Sequence, residues 1–263
     1  MTKDFNAGEI NEFLLKIYLV YLRDYQADLN TPFGTISSVG LYDEYKNLGF
    51  EINFDELMQA CSDGNFTSLI EITEQLGIEK ASPNCKADVF INNEGVSTKF
   101  LGGSSPALVN HTSREKWLRI AGEINFDMST LDILIERYWD NVQNNIHPID
   151  INNANPKSPF YNALEDLRPI LNYYSFKGTG RGKSKIPADI IMDYKYFNNV
   201  ETWKIYRENN FLDQIWHNLV FSFRSDRGMN NYFNSEYKKI IQPWTRKINN
   251  SYQGAFHIRI AKK

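Results

Sequence analysis

An acid, a hydroxyl and a lysine in one short stretch of the sequence could act together on a phosphodiester. Asp88 precedes an apolar run, and Ser97 and Lys99 follow it across a turn at residues 92–95. Alternate side chains of a strand share a face, so Ser97 and Lys99 would lie together, and strand twist can bring Asp88 beside them. A carboxylate can hold a divalent cation, and an ammonium group can stabilise charge on an attacking oxygen or a phosphorane. The spacing suits phosphodiester hydrolysis; the alternative is an exposed hairpin with two ordinary charges.

The residues beyond Lys99 extend this pattern with Gly102 or Gly103, Leu108 and Asn110. Together with Ser97 and Lys99, this block resembles the hallmark segment of type II restriction endonucleases of the Hpa kind, which cut CCGG and belong to the PD-(D/E)XK superfamily. Thr98 and Phe100 stand where that family has an apolar residue and a Ser. These departures leave Lys99 in place and the DNA target open.

The resemblance extends from about residue 8 to the last strand, through an opening helix with two acids and a Gly-rich segment at residues 178–191. It implies an α/β fold of the restriction-endonuclease type, with a mixed central sheet flanked by helices. It also implies Mg²⁺-dependent cleavage of both strands of double-stranded DNA, with Asp88 and Lys99 as the catalytic pair. Ser97 then takes the place that a metal-binding acid usually holds.

A lone Asp is a poor Mg²⁺ site, so a second carboxylate is expected from elsewhere in the chain. The candidates are Glu12 and Glu9 in the opening helix, and Glu94 in the turn. In the fold that the resemblance implies, the first helix packs behind the active-site sheet, which favours Glu12. The alternative for Glu9 and Glu12 is that these acids only stabilise the N-terminus of the opening helix.

A Gly-rich basic segment at residues 177–185 is similar in composition to a phosphate-binding loop. Its Gly-Lys pair comes one residue too early for a Walker motif, and a strand pattern rather than a helix follows it. We expect a flexible loop that contacts DNA; the alternative is a solvated basic loop. Candidate DNA contacts are Lys177, Arg181, Lys183 and Lys185 here, and Asn110, Arg224 and Arg227 elsewhere.

A second acid-x-Lys pattern occurs at Asp189, Asp193 and Lys195. The two acids are too close in the chain to approach one metal from adjacent strands of a hairpin, so this pattern is interpreted as a coincidence; the alternative is that it is the true site. An alternative role for Asp189 is to orient the preceding basic loop.

Hydrophobic periodicity predicts interleaved helices and strands. Helices are expected at residues 8–25, 54–61, 67–76, 113–120, 129–141 and 162–173. A strand–turn–strand unit is expected at residues 87–100, with further strands at residues 188–194 and 254–260. We expect a single domain over residues 1–263, with an internal boundary or a long loop at the Asn- and Pro-rich residues 144–159.

Composition excludes several classes of protein. The 263 residues are 42% hydrophobic and carry a net charge of -3, without a signal peptide or an apolar stretch long enough for a membrane span. The 2 Cys and 4 His show no zinc spacing, and no serine-hydrolase elbow is present. The cytoplasm is the expected location, and no membrane contact is expected.

The net charge conceals a gradient along the chain. Residues 1–80 contain 5 Lys and Arg against 14 Asp and Glu, whereas residues 81–263 contain 24 against 18. Such asymmetry is a hint of contact with nucleic acid. Two alternatives to a restriction endonuclease stay open, a DNA-binding protein without nuclease activity and a repair-type nuclease on the same fold. A monomer and a homodimer are both open, and a cognate DNA methyltransferase is expected in an adjacent reading frame.

Overall fold

The computed structural model describes residues 5–223, 238–244 and 256–261. Helices and strands are numbered separately, each in chain order. The helices are α1 Ala7–Tyr25, α2 Phe54–Ser62, α3 Thr67–Leu76, α4 Arg114–Ile124, α5 Met128–Gln143, α6 Leu164–Asn172, α7 Phe211–Ile215 and α8 Lys238–Trp244. The strands are β1 Val39–Gly40, β2 Val89–Ile91, β3 Glu94–Phe100, β4 Ala107–Thr112, β5 Ile151–Asn152, β6 Gly178–Thr179, β7 Gly182–Lys183, β8 Ile190–Tyr194, β9 Lys204–Arg207, β10 Leu219–Phe223 and β11 Phe256–Ile260.

The chain forms two compact units. Unit 1 contains residues 1–104 and 185–207, and unit 2 contains residues 105–184 and 208–263. The chain therefore leaves unit 1 after β3 and returns to it just before β8. The segment at 144–159, expected as a boundary or a long loop, lies wholly inside unit 2 and contains the short strand β5.

Unit 1 is built on a five-stranded mixed sheet in the order β1-β2-β3-β8-β9. β3 and β8 run parallel, and the other neighbours are antiparallel. Helix α1 packs its apolar stripe into the core of this unit, where Leu15, Ile17 and Val20 are fully buried together with Val96 of β3. The expected α/β architecture, a mixed sheet with helices beside it, is thus present in unit 1.

The β2–β3 hairpin turns on two residues rather than the four expected. Asn92 and Asn93 both have positive φ, 50° and 67°, as a two-residue turn of the mirror-image type requires. Asn92 also ties the turn to the loop before β1, because its amide nitrogen donates to the Thr35 carbonyl at 2.8 Å and its amide oxygen accepts from Ser37 N at 2.8 Å. The turn therefore sets the register that opposes Val89 to Val96.

Gly95 lies where β3 meets the segment that leads into β8. A Cβ atom at this position would stand 2.7 Å from the Pro187 carbonyl oxygen, so only glycine fits. The close approach lets Gly95 N donate to the Asp189 carboxylate at 2.8 Å. Asp189 therefore holds the start of β3, and its expected role in orienting the basic loop is not the contact that the structure shows.

Unit 2 contains a four-stranded sheet in the order β4-β11-β10-β5 and a small two-stranded sheet of β6 and β7. Aromatic side chains fill its core, with Trp117, Tyr138, Phe160, Phe221 and Phe256 all fully buried. The basic segment at 177–185 is not the flexible loop that we expected. Its β6 and β7 form a short hairpin, preceded by a π-helical turn at Tyr173–Lys177.

No helix in the described part of the chain is long and apolar enough to cross a membrane.

Candidate active site

A chain of hydrogen bonds joins Lys99, Ser97 and Asp88 within unit 1. The ammonium nitrogen of Lys99 donates to Ser97 Oγ at 2.8 Å, and Ser97 Oγ donates to Asp88 Oδ2 at 3.4 Å. Thr98 supports the same carboxylate oxygen through its backbone N–H at 2.7 Å. The structure thus brings together the three side chains that the spacing grouped.

The strand pairing explains this arrangement. Asp88 lies one residue before β2, and its backbone N–H donates to the Val96 carbonyl at 2.8 Å. Val89 is opposite Val96, so the antiparallel register continues to Asp88 and Ser97. Alternation along β3 then places Lys99 on the same face as Ser97. The hydrogen bonds that these groups donate to Asp88 converge on Oδ2, which leaves Oδ1 as the oxygen for a ligand.

Glu12 of α1 is the second carboxylate near Asp88. Burial raises the pKa of Glu12, the Lys16 ammonium group opposes the rise, and the negative charge of Asp88 adds to it. Lys16 is fully buried and donates to Glu12 Oε1 at 2.7 Å and to the Glu79 carbonyl at 2.8 Å. The helix therefore carries a carboxylate that repels Asp88 and is held by its own buried counterion.

Tyr45 adds an unsatisfied polar atom beside these carboxylates. Its side chain is 4% exposed, and its hydroxyl group has no hydrogen-bond partner within the described ranges. Burial raises the pKa of Tyr45, and the charges of Glu12, Glu79 and Asp88 raise it further. A buried hydroxyl without a partner is costly, so this atom marks a place where a bound water or ligand would find an unused partner.

Lys86 brings a second cation to the site. Burial, together with the positive charge of Lys99, lowers the pKa of Lys86 to about 7, and Asp88 opposes this shift. The two lysines and Asp88 therefore interact electrostatically. The sequence pattern did not single out Lys86 as functional, although it lies two positions before Asp88.

These donors suit a magnesium ion. The carboxylates of Asp88 and Glu12 and the hydroxyl of Ser97 offer only oxygen, and Mg²⁺ is bound by one or two carboxylates while it keeps several waters. Among residues 5–223, 238–244 and 256–261, no group of three or more His, Cys, Asp or Glu side chains is placed to hold a metal ion. Two carboxylates whose negative charges oppose each other are consistent with a cation between them.

Two further acids that the sequence offered as ligands have other partners in the structure. Glu9 forms a capping box at the start of α1, in which Asn6 and Glu9 exchange hydrogen bonds, and it forms an ion pair with Lys80. Glu94 pairs with Arg207 on β9 at 2.6 Å. These contacts match the structural role that was the alternative for Glu9.

Asp193, which the sequence interpretation set aside, lies opposite Lys99 on the neighbouring strand. It is 5% exposed and interacts with Lys99 electrostatically. The acid-x-Lys pattern singled out Asp193 but could not place it beside Lys99, because β3 and β8 are separated by the whole of residues 105–184. Asp189 does not join it at the site but bonds to Gly95, as described above.

The candidate DNA contacts lie mostly in unit 2. Asn110 is exposed on β4, Lys177 forms an ion pair with Glu208 at 2.6 Å, and Arg181 and Lys183 are exposed in the β6–β7 hairpin. Lys185 is exposed at the return of the chain to unit 1. Arg224 and Arg227 lie outside the described residues.

Comparisons of the chain with protein-family models, with curated proteins and with solved structures return no significant match.

Proposed function

We propose that this protein is a Mg²⁺-dependent nuclease of the type II restriction kind, which hydrolyses one phosphodiester bond in each strand of double-stranded DNA at a specific site. The observation that supports the proposal is the hydrogen-bonded series Lys99–Ser97–Asp88 at the open end of the β2–β3 hairpin, away from its turn. The sheet order, with parallel β3 and β8, is compatible with a fold of the restriction-endonuclease type.

The chemistry of the site follows from its charges. Bound Mg²⁺ supplies a positive charge at the scissile phosphate and lowers the pKa of a coordinated water. Asp88 and Glu12 would hold the ion, with Asp88 presenting its Oδ1 atom. Lys99 would place its ammonium group near the attacking oxygen, where it stabilises negative charge in the transition state.

Ser97 has a positioning role in this account. It accepts from the Lys99 ammonium group at 2.8 Å and donates to Asp88 at 3.4 Å, so one hydroxyl fixes the cation relative to the carboxylate. Because Ser97 is only 2% exposed, its orientation is set by these two partners. A serine at this position therefore replaces the charge of the usual second acid with a hydrogen-bond bridge, and Glu12 supplies the charge from α1.

The proposal extends to the partners of the protein. Lys183 and Lys185 are exposed cations suited to phosphate contacts, and Asn110 and Arg181 are suited to base edges or phosphates. An adjacent reading frame for a DNA methyltransferase is expected for an enzyme that cuts at a fixed sequence.

Incubation of the purified protein with phage DNA tests the proposal. With Mg²⁺ we expect discrete fragments, and with EDTA we expect intact DNA. Intact DNA under both conditions, together with a gel shift, would favour the binding protein over the nuclease. Cleavage without a fixed sequence would favour the repair-type nuclease.

A further inference from the structure

Asp193 is a buried carboxylate that the proposed mechanism does not use. It lies on β8 directly opposite Lys99 of β3, in a parallel register that also opposes Ser97 to Ile191. Register partners project to the same side of a sheet. Asp193 and Lys99 are therefore neighbours on the face that carries Ser97.

The two oxygens of Asp193 are unequally satisfied. The hydroxyl group of Tyr206 on β9 donates a hydrogen bond to the carboxylate. The Oδ1 atom, by contrast, is buried and has no hydrogen-bond partner within the described ranges. A buried carboxylate oxygen without a donor costs free energy, so its retention needs an explanation.

The Lys99 ammonium group has more N–H donors than hydrogen-bond partners among the described residues. An ammonium group carries three N–H donors, and the structure shows hydrogen bonds from Lys99 to Ser97 Oγ at 2.8 Å and to the Thr98 carbonyl at 3.3 Å. Burial raises the pKa of Asp193 to about 6, and the charge of Lys99, the Tyr206 hydroxyl and the charge of Lys204 oppose that rise. Lys99 is thus the main cation that compensates the buried carboxylate.

The charges around Lys99 show why a second acid is needed. Lys86 and Lys99 repel each other, and the charge of Asp88 attracts Lys86. If Asp88 also binds a metal ion, its charge is no longer available to offset this repulsion. A carboxylate on the neighbouring strand, away from the metal, would keep the Lys99 ammonium group in place.

We propose that Asp193 is a positioning residue that holds the Lys99 ammonium group on the site face through the attraction between their charges on adjacent strands. The consequence for DNA cleavage rests on the proposed function, whereas the attraction between the two charges is a property of the fold. Asp193 acts through Lys99 and does not touch the substrate.

A double-mutant cycle tests the contact without any need for nuclease activity. The wild-type chain, Lys99→Met, Asp193→Asn and the double variant are compared by thermal unfolding at neutral pH. We expect Lys99→Met to lower the Tm, because it leaves Asp193 buried without its cation, and to lower the Tm less when Asn occupies position 193. Equal changes in both backgrounds would overturn the proposal. If Lys99→Met does not fold, Lys99→Gln completes the same cycle.

Kinetics test the positioning role. Asp193→Asn keeps an acceptor for Tyr206, and we expect it to lower kcat for DNA cleavage about 10-fold to 100-fold while the DNA Kd in EDTA is unchanged. Asp193→Glu, which restores the charge, should recover part of the loss. A wild-type kcat for Asp193→Asn would overturn the proposal. If the wild-type chain never cleaves DNA, the proposed function fails, and the unfolding cycle still decides the contact between Asp193 and Lys99.

Discussion

At the scale of single residues, Lys16 is the buried cation on which the position of Glu12 depends. Its ammonium group has only Glu12 and the Glu79 carbonyl as hydrogen-bond partners among the described residues, and its side chain is fully buried. The sequence contained a signal for this pair, since Glu12 and Lys16 have the spacing that forms ion pairs on a helix. The placement of Glu12 near Asp88 depends on packing that the spacing does not reveal.

We expect Lys16→Met to destabilise the protein by about 2–4 kcal/mol, because it leaves Glu12 without its counterion and the Glu79 carbonyl without a donor. Urea denaturation at neutral pH measures this change. Lys46→Met is the matched control, since Lys46 is exposed and its side chain supports no contact of the site. Similar stabilities of the two variants would contradict the role of Lys16.

Asp193 makes the stability of the protein depend on pH. Its pKa is raised from 3.8 to about 6 in the folded chain. A carboxyl group whose pKa is raised by folding stabilises the folded state at a pH below its pKa in the unfolded chain. This stability is lost as the pH rises through its pKa in the folded chain. The group therefore stabilises the fold below about pH 4, and this contribution, up to about 3 kcal/mol, disappears by about pH 7.

Urea denaturation of the wild-type chain and Asp193→Asn at pH 4 and pH 7 isolates this effect. We expect the stability of the variant relative to the wild type to increase by up to about 3 kcal/mol between the two pH values. A constant difference would show that Asp193 has an ordinary pKa. Slower cleavage by a variant that is no less stable than the wild type at neutral pH is the pattern of a residue retained for function.

At the scale of the elements, the β2–β3 hairpin carries the site, and its turn residues can be tested separately. Asn92 and Asn93 both have positive φ, so an alanine at either position meets a similar backbone penalty. Among the described residues, Asn92 has side-chain hydrogen bonds to the loop at residues 33–38 and Asn93 has none. The difference between the two alanine variants therefore measures those bonds.

We expect Asn92→Ala to lower the free energy of unfolding by about 1–2 kcal/mol more than Asn93→Ala does, because the backbone of the loop before β1 loses the hydrogen bonds of the Asn92 amide. Chemical denaturation measures both variants. Equal losses would mean that the turn is held by its backbone alone.

Local patterns predicted the elements well where the signals lie within a few residues. Asn53 caps α2 and Gly77 ends α3, as their positions in the sequence indicated, and the hairpin follows from two apolar runs around a polar turn. The elements that sequence reasoning missed, such as β5, β9 and β10, are short or lie in aromatic-rich stretches without a clear period. The pairing of β3 with β8 is long-range, and for that reason Asp193 was not recognised as a neighbour of Lys99.

At the scale of the whole molecule, the charge gradient separates two parts of the proposed function. The candidate site lies in unit 1, which includes the acidic residues 1–80, and most candidate DNA contacts lie in unit 2. A carboxylate site for a cation in one unit and basic residues for phosphates in the other are both consistent with this division. The net charge of -3 therefore does not argue against a nucleic-acid partner.

We expect Lys183→Ala and Lys185→Ala each to weaken DNA binding at all sequences and to reduce the salt slope of log K by about 0.9. Fluorescence anisotropy in EDTA at several salt concentrations measures the slope without cleavage. Lys46→Ala serves as the control and should leave the slope unchanged. An unchanged slope for Lys183→Ala and Lys185→Ala would remove these residues from the DNA contacts.

The central claim is that Asp88 and Lys99 perform DNA cleavage, and the cleavage rates of isosteric or truncated variants test it most directly. Asp88→Asn keeps the acceptor for Thr98 N, and Lys99→Ala removes the cation; Asp28→Asn and Lys46→Ala are the exposed controls. With Mg²⁺ and plasmid DNA, we predict a loss of about 1000-fold for each site variant and wild-type rates for both controls. Site variants that cleave as fast as the wild type would contradict the account.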